Sequence, residues 1–322
     1  MNFLKPYTHE QFKAEAIEIF YRQYSGNKVY RAFVDGMKVN VAEVRELEQI
    51  PFLPVELFKT NKVTTGDFSA EAVFTSSGTT GEQTAQHYVK SLELYEADFT
   101  ESFRTFYGLP HGWTFLALLP SYLEREGSSL IYMMEKLIEM SDDNRSGFFL
   151  HNHHDLFNLL MTLRAEKKKT LLLGVTYALL DFAENFQIEF PELVVMETGG
   201  MKGKRREMIR EEVHDLLKNS FSAKAIHSEY GMTELMSQAY SDGNGLFKTP
   251  PWMKILIRDV YNPMDILSFG RNGGINIIDF GNVDSCSFIA TQDTGRLHAD
   301  GSFEVTGRID FSDIRGCNLM VS

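Results

Sequence analysis

Between residues 113 and 227 the chain repeats one pattern: a short apolar run, a polar turn, then an amphipathic stretch. Residues 113–119, 170–173, 193–196 and 223–227 are apolar runs of strand length. Gly174 closes the second run and Thr198-Gly199-Gly200 follows the third. Residues 128–140, 177–185 and 204–218 read instead as helices, the last of them charged and amphipathic. Strands alternating with helices predict an α/β sheet fold. Ligands on such sheets sit beyond the C-terminal ends of the strands. Polar loops follow strands here at residues 75–81, 198–203 and 229–234.

The flanks differ in texture. Thr8-x-x-Gln11 forms a capping box ahead of Phe12, Ala16, Ile19, Phe20 and Gln23, which recur at helical spacing. A second helix is expected over residues 41–49, ended by Pro51 and Pro54. After Phe247, short strands with Gly, Asn and Asp turns predict a β-rich subdomain, and Asp300-Gly301 between Leu297 and Phe303 signals a hairpin. The expected organisation is a helical cap over residues 1–65, an α/β and β-rich core over 66–306, and a hinge with a C-terminal stub over 307–322.

Composition narrows the function. The 322 residues carry a formal charge of −12, which argues against a nucleic-acid binder, because such a protein usually presents a basic face. No apolar run reaches the length of a membrane span, and residues 1–10 have no secretory apolar region. The two cysteines, Cys286 and Cys317, are too few for a disulfide scaffold, so a cytoplasmic location is expected.

Three stretches carry chemistry. Thr75-Ser76-Ser77-Gly78-Thr79-Thr80-Gly81 joins two strand-like segments. Its glycines let backbone N–H groups approach a ligand, and its hydroxyls add small donors without negative charge, which suits a polyphosphate. It is not a Walker A loop, because Glu82 and Gln83 follow Gly81 where that pattern needs Lys-Ser/Thr. Read alone, it is also a flexible surface turn. In Glu229-Tyr230-Gly231-Met232-Thr233-Glu234, the tyrosine offers a flat face to a purine, the threonine a hydroxyl to a phosphate, and Glu234 a hard oxygen to Mg²⁺. In Thr291-Gln292-Asp293-Thr294-Gly295-Arg296 and Gly307-Arg308-Ile309-Asp310, an Asp at a strand end can accept both ribose hydroxyls, and an Arg can meet a phosphate or carboxylate. Alone, the second and third stretches also read as a solvated turn and a hairpin with a surface ion pair.

Together and in this order, over about residues 65–316, the three resemble the adenylate-forming superfamily of acyl-CoA synthetases, luciferases and peptide-synthetase adenylation domains. Within it the chain looks most like the bacterial acyl-protein synthetases, the LuxE-like family, on Ile50-Pro51-Phe52-Leu53-Pro54, Leu57-Phe58-Lys59 and the doubled Ser76-Ser77. Phenylacetate-CoA ligases are the next resemblance. The likeness implies the large α/β N-terminal domain of these enzymes, with its β-rich subdomain. The chain stops at Ser322, just after the hinge, so the C-terminal lid is expected to be absent or vestigial.

The resemblance also implies roles. Ser76, Ser77, Gly78, Thr79, Thr80 and Gly81 would bind phosphate, while Thr198, Gly199 and Gly200 would line the adenine and acyl pocket. Tyr230 and Gly231 would take adenine, Thr233 the α-phosphate, Glu234 Mg²⁺, Asp293 the ribose and Arg308 the nucleotide. Asp310 would sit at the hinge. Cys317 would accept the acyl group, although it reads equally as a small apolar residue in a terminal strand. The superfamily's phosphate-loop Lys falls on Thr84, which removes a positive charge. Lys202, Lys204, Arg205 and Arg206 could supply it, or simply begin an exposed helix.

The implied activity is ATP- and Mg²⁺-dependent activation of a carboxylic acid, a fatty acid being expected, as an acyl-adenylate, with transfer to a protein thiol. An acyl-accepting reductase or carrier protein is the implied partner. A CoA ligase with a lid supplied in trans, a non-catalytic nucleotide-binding module and a piece of a longer enzyme remain open. Elsewhere, His151-Asn152-His153-His154-Asp155 puts no clean ligand pair on one helix face, so a helix start with solvated histidines is expected rather than a metal site. Lys167-Lys168-Lys169 reads as a solvated turn, and Cys286 as a small buried hydrophobe.

Overall fold

A computed structural model describes residues 3–76, 83–120, 127–199 and 208–309. Ser77, Gly78, Thr79, Thr80, Gly81, Gly200, Asp310 and Cys317 lie outside the described residues, as do Lys202, Lys204, Arg205 and Arg206. The chain divides into two compact units: one is Met1–Leu4 with Phe68–Pro250, the other Lys5–Asp67 with Pro251–Ser322.

The chain begins with α1 (His9–Gly26), α2 (Lys28–Gly36), β1 (Leu53–Pro54) and α3 (Leu57–Thr60). The capping box at α1 forms as expected: Thr8 Oγ1 accepts from Gln11 N, and Gln11 Oε1 accepts from Thr8 N. The helix expected over residues 41–49 is instead two 3₁₀ turns, Val41–Glu43 and Leu47–Gln49. Extended backbone at Val44 and Glu46 separates them. A true helix forms earlier because Asn27 accepts from both Val29 N and Tyr30 N, restarting the spiral directly after α1.

The next segment builds the α/β unit. It holds β2 (Ala72–Thr75), β3 (Gln86–Val89), α4 (Leu92–Tyr107), β4 (Thr114–Leu118), α5 (Ser129–Ser141), β5 (Gly147–Phe149) and α6 (His153–Ala165). After them come β6 (Thr170–Val175), α7 (Thr176–Asn185), β7 (Val194–Thr198), α8 (Arg210–Phe221), β8 (Ile226–Tyr230) and β9 (Ala239–Ser241). Six strands form one sheet in the order β5-β4-β6-β7-β8-β9, parallel except for β9. Every residue of β4 and β6 is buried, as expected where helices cover both faces of a parallel sheet. Gly174 in β6 permits the close approach of α7, because a Cβ there would stand 2.8 Å from Leu179 side-chain atoms. Strands β2 and β3 form a separate antiparallel hairpin whose connection carries residues 76–85. Trp113 is buried beside β4, with Lys169 Nζ 4.0 Å from its ring centroid. Lys168 pairs with Asp143 at 3.2 Å, so this lysine turn is tied to neighbouring elements rather than only solvated.

The last strands are β10 (Met253–Arg258), β11 (Asn272–Asp279), β12 (Phe288–Leu297) and β13 (Phe303–Arg308). They form a five-stranded sheet in the order β1-β12-β11-β10, with β13 also on β12. Pro54 is tolerated because β1 is a two-residue edge strand, running parallel to β12. The Asp300-Gly301 turn joins β12 to β13 as expected. This unit's core stacks Phe12 on Phe280 at 4.3 Å and Tyr30 on Phe288 at 6.0 Å. The buried Gln23 amide donates to Asn282 O and Ser287 Oγ, each at 3.2 Å. Trp252 is buried just ahead of β10. Cys286 is buried as expected, and burial pushes its thiol up to about 12, which makes it unreactive.

Candidate functional site

In the α/β unit the sequence motifs fall at the C-terminal ends of β7 and β8, where a parallel sheet places ligands. Thr198 ends β7 and is paired in register with Glu229 of β8. Thr198 Oγ1 donates to Glu229 Oε2 at 2.5 Å, joining the two strand ends. Gly199 follows with φ +71, a left-handed conformation that glycine takes without strain.

Glu229 is buried and shares a sheet face with Thr198, whereas Glu197, in register with Ser228, alternates to the opposite face. Burial raises its pKa to about 7; the charge of Glu197 adds to this, and the Thr198 hydroxyl opposes it. Glu197 moves the other way. Its own burial resists ionisation, but His214, Ser228, Arg210 and Thr176 together outweigh that and lower its pKa. Thr176 Oγ1 donates to Glu197 Oε2 at 2.9 Å, and His214 Nε2 stands 3.8 Å from Oε1, beyond hydrogen-bond reach.

The structure gives Gly231 a steric reason to be glycine. A Cβ there would lie 2.4 Å from Glu229 Oε1, so the glycine makes room for the buried carboxyl group of its own turn. Tyr230 is half-buried and meets the ring of Phe247 edge-on, with centroids 5.9 Å apart. Glu234 is 8% exposed. The carbonyl of Thr233 accepts a hydrogen bond from His87 Nδ1 of β3 at 2.8 Å.

At the base of the β2–β3 connection, Ser76 N donates to Ala85 O at 3.1 Å and Ala85 N donates to Ser76 Oγ at 2.9 Å. Ser76 therefore helps to close the loop. Thr75 N donates to Gly127 O at 2.8 Å, tying the end of β2 to the segment before α5.

In the other unit, Asp293 of β12 stands in register with Arg308 of β13, and Arg308 Nε lies 3.4 Å from Asp293 Oδ1. The Arg308 side chain is 75% exposed, so this ion pair adds little stability and leaves the guanidinium in solvent. Sequence reasoning missed the group behind Asp293. Arg258 is buried, and its guanidinium donates to Ile275 O at 2.7 Å, Asn276 Oδ1 at 2.9 Å and Thr291 O at 2.6 Å. Thr291 Oγ1 accepts from Asp293 N at 3.1 Å, so Arg258 fixes the strand that presents Asp293. A lone arginine directly after the apolar run Ile255-Leu256-Ile257 is the only sequence signal for it.

No cluster of three or more His, Cys, Asp or Glu suited to a metal occurs among the described residues. His153 and His154 pack edge-on against Phe182 and Phe186, at 5.7 and 5.1 Å. No helix among the described residues is long and apolar enough to cross a membrane.

The fold is that of the large N-terminal part of the adenylate-forming ligases. The chain resembles 2-hydroxyisobutyryl-CoA ligase solved in the postadenylation state with 2-HIB-AMP: identity is 13%, coverage 94% of this chain and 68% of that one, and the TM-score 0.65. It also resembles ATP-bound MatB from Rhodopseudomonas palustris, at 17% identity over 76% of this chain and 50% of that one, with a TM-score of 0.56. The chain thus spans about half the length of MatB. Residues 5–91 match the family model described as acyl-protein synthetase, LuxE. The matched stretch includes Ile50-Pro51-Phe52-Leu53-Pro54 and the loop at residues 75–81. No curated protein sequence matches the chain.

Proposed function

We propose that the chain activates a carboxylic acid, a fatty acid in our reading, at the expense of ATP and passes the acyl group to a protein thiol. The observation that carries this reading is the pairing of Thr198 with Glu229, which brings the loops after β7 and β8 to adjacent strand ends, within a fold shared with ligases solved with ATP and with an acyl-AMP. The match of residues 5–91 supports an acyl-protein synthetase over other ligases.

The carboxylate attacks the α-phosphorus of ATP, the bond to the β-phosphate breaks, and pyrophosphate leaves. A thiolate then attacks the acyl carbonyl carbon, forming a thioester and releasing AMP. The first step asks the protein mainly to hold groups in line and to stabilise charge. Loop residues Ser76–Gly81 cradle the phosphates, Thr198, Gly199 and Gly200 border adenine and acyl group, and Tyr230 stacks on adenine beside Gly231. Thr233 bonds the α-phosphate, Asp293 accepts the ribose hydroxyls, and Arg308 meets the nucleotide.

Glu234 fits Mg²⁺: it is a hard carboxylate held in the turn after β8, and Mg²⁺ bound to nucleotide phosphates needs only one or two such groups. Bound there, Mg²⁺ would neutralise charge on the phosphate oxygens. Cys317 is the acyl acceptor within this chain, and a reductase or carrier protein is the onward partner. CoA as the acceptor is the second reading, favoured by the fold likeness to a CoA ligase.

Pyrophosphate release across carboxylic acids from acetate to long-chain fatty and aryl acids tests the first step. We expect release with long-chain acids, and none with any acid would overturn the function. With labelled fatty acid, a hydroxylamine-sensitive label on the protein should vanish in Cys317→Ser while pyrophosphate release persists. A label that survives would move the acceptor to another thiol.

Asp293→Ala is expected to weaken ATP binding by about 10- to 100-fold, the loss of hydrogen bonds to a charged group. Calorimetry with ATP checks it, and unaltered affinity would remove the ribose role.

A further inference from the structure

His87 is assigned no role by the reading above, yet it is buried and hydrogen-bonded to the turn that carries Thr233 and Glu234. It lies in β3, the strand that leaves the 76–85 connection, and is 1% exposed. Its Nδ1 lies 2.8 Å from the carbonyl oxygen of Thr233, 146 residues away in sequence. A carbonyl can only accept, so the ring carries its proton on Nδ1. Burial lowers the pKa to about 4, so the imidazole is neutral at ordinary pH and acts as a fixed donor rather than a charge.

The consequence follows from peptide geometry. The unit joining Thr233 to Glu234 is planar and trans, so its C=O and N–H point in opposite directions. Anchoring the Thr233 oxygen therefore sets the direction of the Glu234 N–H and the origin of the Glu234 side chain. On the opposite side of the turn, Thr198 holds Glu229, and Gly231 leaves space for that carboxyl group. The Tyr230–Glu234 turn is thus fixed at both ends by residues that belong to different strands.

We propose that His87 is a positioning residue: its Nδ1–H, bonded to the Thr233 carbonyl, holds Thr233 and Glu234 in register with the strand that leaves the phosphate-binding loop. This inference rests on the adenylation reading and adds the group that aligns its two phosphate-directed residues. Thr233 and Glu234 act on the phosphorus as it reacts, so misalignment should lower kcat more than it raises the KM for ATP.

The test compares three variants by acid-dependent pyrophosphate release, with circular dichroism as the check on folding. His87→Asn keeps an N–H close to the position of Nδ1 and should stay within about 3-fold of wild type. His87→Leu removes the donor at similar bulk and should lower kcat by about 10- to 100-fold, the scale of an ångström-level misplacement, with ATP KM changed less. His87→Gln reaches one bond too far and should resemble His87→Leu; it also serves if the leucine variant fails to fold. Folded Leu and Gln variants with wild-type kcat, or an Asn variant as slow as they are, would overturn the positioning role while leaving the adenylation reading intact. A wild-type protein that releases no pyrophosphate with any acid would overturn both.

Discussion

Glu229→Gln is expected to become more stable than wild type by about 3 kcal/mol as pH rises from 4.5 to 8, relative to the difference between the two proteins at pH 4.5. The folded pKa of Glu229 is raised to about 7 from an ordinary value of 4.5. A raised carboxyl pKa means that the native state holds its proton where the unfolded chain releases it. The resulting stability is fully present below 4.5 and is lost as pH rises through 7. At 1.36 kcal/mol per unit, a rise of 2.5 units corresponds to about 3 kcal/mol. Glutamine has the same shape, can still accept from Thr198 Oγ1, and has no charge to bury. His87 titrates in the opposite sense, adding stability above 6.5 that is lost as pH falls through 4, but it is common to both proteins and cancels in the difference. Urea unfolding of both proteins across this pH range checks the result. A stability difference that stays flat with pH would show that Glu229 is not a buried acid of raised pKa.

The largest expected effect on activity is at Glu234. Glu234→Gln should lower acid-dependent pyrophosphate release by about two orders of magnitude, the scale for removing one preorganised group that answers charge in a transition state. The side chain is 8% exposed and the substitution is isosteric, so the thermal midpoint should change little. A carboxamide keeps the shape but loses the charge and turns one acceptor oxygen into an NH₂ donor, so it loses what a Mg²⁺ ligand supplies. Unchanged turnover in this variant would end the assignment of Glu234.

The parallel strands were legible because β4 and β6 are buried on both faces, so their sequences are nearly unbroken apolar runs. Helix α4 was not read from the sequence. Its buried stripe of Tyr95, Phe99 and Phe103 also contains Asp98 and Ser102, which are wholly buried and obscure the apolar period. Residues 41–49 misled for the opposite reason: their spacing suits a helix, but extended residues divide them into separate turns. The roles proposed for Thr198, Tyr230, Thr233, Glu234 and Asp293 come from short contiguous motifs, which a sequence displays directly. His87, Glu229 and Arg258 were not read as structural supports. Each acts through a partner distant in sequence, and nothing in its sequence neighbourhood announces that partner.

The two tryptophans are divided between the compact units, Trp113 in one and Trp252 in the other, and both are buried. Indole emission moves to longer wavelength when water reaches the ring, so the chain carries a separate fluorescent reporter in each unit. Trp252→Phe leaves Trp113 to report on the α/β unit, and Trp113→Phe leaves Trp252 to report on the other. The Lys169 ammonium lies 4.0 Å from the centroid of the Trp113 ring, so loss of that contact also registers in the Trp113 signal. The order in which the units melt can therefore be followed optically, without attaching any dye.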